Sequence, residues 1–90
     1  MTEPSVHTDL VARLRTELAA VRPDLDDPAS VPADALLKQD LAVDSLDILE
    51  FVARVEAALR VIVPDEDWQH VATLNAFATY LGRLEEQKLA

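Results

Sequence analysis

The sequence predicts an all-α protein: a small four-helix bundle of three longer helices and one short helix, with a long loop between the first and second helices. Three observations carry this prediction. Apolar side chains recur at the 3.6-residue period in separate stretches of the chain. No stretch alternates apolar and polar residues for long enough to argue a strand; Arg60-Val61-Ile62-Val63 comes nearest, and it is short and stands alone. Residues 23–44 hold Pro23, Pro28 and Pro32 among several aspartates and break the helical pattern.

The elements follow in order. Leu10, Val11, Leu14, Leu18 and Val21 share one face of a first helix, with Ser5 or Thr8 as its cap and Pro23 as its stop. The loop after it is long, and long ordered loops in compact domains are often functional. Within the loop, Ala35-Leu36-Leu37 is expected to form a turn that tacks it onto the core. The second helix buries Ile48, Phe51, Val52, Val55 and Leu59. Asp44 is its expected N-cap, and Asp47 completes a capping-box pattern with a shorter side chain than usual. Ser45 and Leu46 then fall in the first turn, beside the positive end of the helix dipole. Pro64 closes this region, and Asp65-Glu66-Asp67-Trp68 reads as the acidic start of a short helix, Trp68 being a core or edge aromatic. Thr73 caps a last helix that buries Leu74, Phe77, Ala78, Leu81 and Leu84. Tyr80 is expected to face partly away from that stripe. Gly82 weakens the helix by about 1 kcal/mol relative to alanine.

Composition limits what the chain does. Its 90 residues make one domain, 1–90, and half of them are hydrophobic. There is no cysteine, which excludes a disulfide framework, a thiolate metal site and a cysteine nucleophile. No apolar run is long enough to span a bilayer, and Met1-Thr2-Glu3-Pro4 lacks the pattern of a secretory signal. The expectation is a cytoplasmic monomer without membrane insertion.

The charge is unevenly placed. The chain has 17 acidic and 8 basic residues, a net charge of −9. Residues 24–67 hold 12 acidic and 3 basic side chains, so the whole excess lies there. Nucleic acid would be repelled, and so would an anionic membrane surface. A partner with a basic patch would be attracted and steered into contact. Solubility alone also accounts for such an excess.

Few side chains carry chemistry. His7 and His70 have no second histidine or cysteine at ligand spacing, so no zinc site is expected and both are assigned to the surface or an edge. Asp65, Glu66 and Asp67 lack the glycine and spaced oxygens of a calcium loop, and at most they attract a divalent cation weakly. Asp24-Leu25-Asp26-Asp27 fails the same test because Pro28 takes the fifth place. No metal site is predicted. Ser45 heads the second helix, where a serine ordinarily serves only in capping. A nucleophilic serine needs a base within reach and an oxyanion hole, and Ser45 lacks the glycine-flanked elbow as well.

The wider context of Ser45 is more specific. The run Asp40-Leu41-Ala42-Val43-Asp44-Ser45-Leu46-Asp47, followed by Leu49-Glu50-Phe51-Val52, resembles the attachment region of acyl carrier proteins. Val61-Ile62-Val63-Pro64-Asp65-Glu66-Asp67 is similar to that family's segment after its second helix, and Thr73-Leu74 to the start of its last. The resemblance spans about the whole chain. It implies a four-helix bundle whose serine, here Ser45, receives the 4'-phosphopantetheine arm of coenzyme A from a phosphopantetheinyl transferase with magnesium. It implies no catalysis by the chain itself. Acyl or related groups would ride on the arm as thioesters, to partner enzymes with basic docking patches that load and process them. Asp44, Asp47, Glu50 and Glu56 match the family's acidic docking positions, and Leu46 its exposed apolar one. Phe51, Val55, Leu59 and Val63 are candidates to line a pocket for the acyl tail, or are plain core.

Some positions depart from the family pattern. Ala42 stands where many members have glycine, which is expected to stiffen the turn before Ser45. Arg54 and Arg60 sit on a helix that is often more uniformly acidic, and Ala57-Ala58 replace frequent glutamates. These departures point away from housekeeping fatty-acid synthesis and towards a dedicated pathway, such as polyketide, peptide-linked or lipid tailoring chemistry. The start at Met1 suggests a freestanding carrier. An unloaded carrier-like interaction module and a small serine hydrolase are the alternative readings.

Overall fold

The computed structural model describes residues 3–25, 27 and 30–89. Helix α1 spans Glu3–Val21, α2 Leu37–Asp40, α3 Ser45–Leu59 and α4 Leu74–Leu89, with a 3-10 helix over Asp65–Val71. Among the described residues there is no strand. Three long helices, one short one and a long first loop match the expected bundle. The extra turn α2 lies within that loop, where Ala35-Leu36-Leu37 was expected to touch the core.

Helix α1 begins ahead of both Ser5 and Thr8, so neither heads it. Pro4 sits in its first turn, where a missing N–H removes no intrahelical hydrogen bond. Val11, Leu14 and Leu18 are buried and pack α1 against both α4 and α3. Phe51 of α3 and Phe77 of α4, both fully buried, meet edge to face with ring centroids 5.6 Å apart. This is a favoured aromatic geometry and joins the two helices across the core.

The long loop is held at several points. Val31, Leu37 and Val43 are buried in the main core. Arg15 Nε donates to the Val31 carbonyl at 2.9 Å, and the Val43 N–H donates to the Leu37 carbonyl at 2.9 Å. The Leu37 N–H reaches the Ala72 carbonyl at 3.0 Å, which ties α2 to the turn before α4. Thr73 caps α4 through its hydroxyl, which accepts the Ala76 N–H at 3.0 Å.

The Val61–Val63 stretch is extended in character but pairs with no strand. Val61 and Val63 point into the core while Ile62 is 76% exposed. Helix α3 ends at Arg60, a left-handed residue with φ 57°.

Tyr80 departs from its expected outward pose. It is buried, and its hydroxyl donates to Asp67 Oδ2 at 2.7 Å. Its ring stacks on His70, with centroids 5.1 Å apart. Tyr80 lies at the edge of the α4 stripe, close enough for a long side chain to reach the 3-10 helix. Trp68 is half-buried, and its indole N–H donates to the Val63 carbonyl at 3.3 Å.

Candidate functional site

Ser45 occupies the first position of α3, a 15-residue helix, and is exposed. The local sequence sets this up. Asp44 is extended at φ −87°, ψ −178°, and its Oδ1 accepts the Asp47 N–H at 2.9 Å. That is one half of the expected capping box. The first intrahelical bond runs from the Ile48 N–H to the Asp44 carbonyl at 2.9 Å. The N–H groups of Ser45 and Leu46 precede it and face the helix entrance. With the dipole, they favour an anion bonded to the Ser45 oxygen.

No described side chain hydrogen-bonds the Ser45 hydroxyl. His7 Nε2 instead contacts Asn75 Oδ1 at 2.9 Å, and His70 stacks on Tyr80. Neither histidine is arranged as a general base for Ser45. Among the described residues no group of histidines and acids is arranged to hold a metal ion. Asp26 of the loop's acidic run lies outside the described residues. Ser30 gives a useful contrast. It is also exposed, but its hydroxyl donates to the Asp27 carbonyl at 2.7 Å.

The segment before Ser45 carries backbone strain. Ala42 has φ 56°, in the left-handed region where a Cβ costs roughly 1–2 kcal/mol. The family's usual glycine would adopt that angle freely. The turn is therefore strained. Arg22, just past α1, reaches this segment: Nη1 donates to the Ala42 carbonyl at 3.0 Å and to the Leu41 carbonyl at 3.3 Å. The same nitrogen lies 3.7 Å from Asp47 Oδ2.

The expected docking residues spread along α3. Asp44, Leu46 and Glu50 are exposed, Leu46 by 74%, while Asp47 is half-buried beside Arg22. Glu56 is half-buried, and its Oε2 accepts the Val63 N–H at 2.8 Å, so it braces the turn after α3. Arg54 pairs with Glu17 of α1 at 3.0 Å. Leu49, 52% exposed, adjoins Leu46 on the same face. The sequence signal for it was available: Leu49 lies outside the Ile48–Phe51–Val55 stripe.

A cavity of about 260 Å³ opens one turn along from Ser45. Leu37, Ile48, Trp68 and Val71 line it, together with Lys38 and Gln69. Phe51, Val55, Leu59 and Val63, the candidates for an acyl pocket, are not among its lining residues. The first, second and fourth are buried in the main core, and Leu59 packs against it.

Comparison with known proteins gives a consistent result. A family profile described as "Phosphopantetheine attachment site" matches residues 9–81. An acyl carrier protein of Bdellovibrio bacteriovorus is 42% identical over 57 residues, covering 63% of this chain and 73% of its own length.

Proposed function

The chain belongs to the phosphopantetheine-binding acyl carrier protein family, and from that premise we propose that Ser45 is the residue that bears the arm. Members of this family are carriers and not catalysts, and their domain is the site of covalent 4'-phosphopantetheine attachment. They meet a phosphopantetheinyl transferase and acyl-processing enzymes.

One observation carries the assignment to Ser45. Its hydroxyl is exposed at the head of α3, free of side-chain partners, next to backbone N–H groups suited to a phosphodiester. The residues present therefore fit the group. In the loading step the Ser45 oxygen forms a bond to phosphorus. The bond from that phosphorus to the nucleotide part of coenzyme A breaks, and the serine proton leaves to the transferase or solvent. When bound, the arm supplies a thiol that holds an acyl group as a thioester.

The rest of the chain does the positioning. Asp44 caps α3 and keeps Ser45 at its first turn. The cavity beside Ile48 is of a size and apolar lining to shelter part of an acyl group from water. Leu46, Leu49, Asp44, Asp47 and Glu50 form the proposed docking edge, with Glu56 bracing the helix behind it. Exposed charges contribute little affinity each, so they act mainly on encounter rate and salt dependence. Arg54, held by Glu17, and exposed Ala57 make the far end of α3 less acidic. This favours dedicated partners in a specialised biosynthetic pathway over general fatty-acid synthesis.

The test is incubation with coenzyme A, magnesium and a broad-specificity transferase. The wild type should gain the mass of one arm and Ser45→Ala should gain none. Equal uptake by both would exclude Ser45.

A further inference from the structure

We propose that Arg22 is a positioning residue for the modification of Ser45: it holds the strained Leu41–Ala42 backbone and thereby fixes how α3 presents its first residue. The inference rests on Ser45 being the modified residue.

The geometry begins with the guanidinium. Arg22 Nε and Nη2 donate side-on to the two Asp24 oxygens at 2.8 and 2.7 Å. A guanidinium is planar and rigid, so this pairing fixes where its third nitrogen points. That nitrogen, Nη1, is the one that meets the carbonyls of Leu41 and Ala42 and lies near Asp47. Asp24 thus aims the group, and Nη1 delivers the hold. The backbone beneath α1 is also fixed, because the Arg22 N–H donates to the Leu18 carbonyl at 2.8 Å.

The held segment is the one that needs holding. Ala42, at φ 56°, is exposed, so burial of its side chain does not impose that angle. Val43, next along, is buried, and Asp44 caps α3. If Ala42 relaxed to a negative φ, the chain direction into Asp44 and Ser45 would change. A bond across 20 residues from the end of α1 prevents this. The Arg22 side chain is only 19% exposed, so its contacts are partly shielded from water.

Positioning and charge make opposite demands on the kinetics. Removing a cation that sits against the acidic middle, beside Asp47, should strengthen attraction to a basic transferase and lower KM for the carrier. Loss of position should lower kcat, because a displaced hydroxyl reacts slowly even when docked. Arg22→Ala is expected to lower kcat for phosphopantetheine transfer on the order of tenfold, with KM unchanged or lower. Arg22→Lys, with one donor group and no side-on fork, should lie between the two.

Ala42→Gly supplies the discriminating measurement. Glycine accepts a positive φ without a side-chain clash. In the Arg22→Ala background it should recover about threefold in kcat, whereas alone it should change kcat by less than about twofold. Asp24→Asn, at an exposed position, tests the aiming step should Arg22→Ala fail to fold; kcat should fall about threefold.

Outcomes separate the two claims. If the wild type takes up no arm, or Ser45→Ala still does, the reading of Ser45 fails. If the wild type is loaded at Ser45 and folded Arg22→Ala matches its kcat, the positioning inference alone fails. A loss confined to KM, or one that Ala42→Gly does not relieve, also overturns it. Unchanged kcat in Asp24→Asn overturns it where Arg22→Ala does not fold.

Discussion

Tyr80 Oη donates a 2.7 Å hydrogen bond to Asp67 Oδ2, joining α4 to the first turn of the 3-10 helix that also carries Trp68 and Val71. The acceptor is a carboxylate and the phenol is buried, so the bond should be worth more than a neutral surface one. Tyr80→Phe is expected to destabilise the fold by about 1–2 kcal/mol in urea denaturation. No change would mean that this bond adds nothing to the hold on the 3-10 helix.

The same bond gives a pH dependence. Burial, then the hydrogen bond to Asp67, pushes the Tyr80 phenol up from its usual 10.0 to about 12. A folded value above the unfolded one means the contribution is complete below pH about 10 and is lost as pH rises towards 12. The wild type should lose more stability than Tyr80→Phe across that interval, measured by thermal melting at fixed ionic strength. Parallel pH profiles would contradict this.

Ala42 carries a cost that glycine would not. Ala42→Gly should raise stability by about 1 kcal/mol, since relief of the positive φ exceeds the added freedom of the unfolded chain. Denaturation midpoints for the two proteins decide it. A less stable glycine variant would show that the added freedom of the unfolded chain outweighs the strain.

Much of this arrangement was legible in the sequence, and the remainder was hidden for identifiable reasons. Asp44 as a cap, Thr73 as a cap and the Ile48–Phe51–Val55 stripe are local patterns, so periodicity and residue type were enough. The hold of Arg22 on the Leu41–Ala42 segment was not legible because those acceptors are backbone carbonyls 19 and 20 residues away, which have no sequence signature. Tyr80 sits at the border of an apolar stripe, and only the position of the 3-10 helix decides which way it turns. The cavity beside Ile48 was hidden for a similar reason. Phe51, Val55 and Val63 are buried in the main core, the plain reading of an apolar stripe. Lys38 and Gln69 come together at the cavity because α2, in the long loop, lies beside the 3-10 helix, a placement with no local sequence signature.

Gly82 leaves room for improvement in α4. A Cβ there would lie 3.9 Å from Leu10 Cδ1, an ordinary contact with α1. Gly82→Ala should therefore gain about 0.5–1 kcal/mol from helix propensity, read as a higher melting temperature. A lower one would point to a tighter α1–α4 contact than this spacing allows.

The most direct measurement is fragment mass analysis of the protein isolated from its native host, read at single-residue resolution. One 4'-phosphopantetheine arm is expected, located on Ser45, with or without an acyl group on its thiol. An arm on another hydroxyl, such as that of Ser30, or a protein that never carries one, would contradict this.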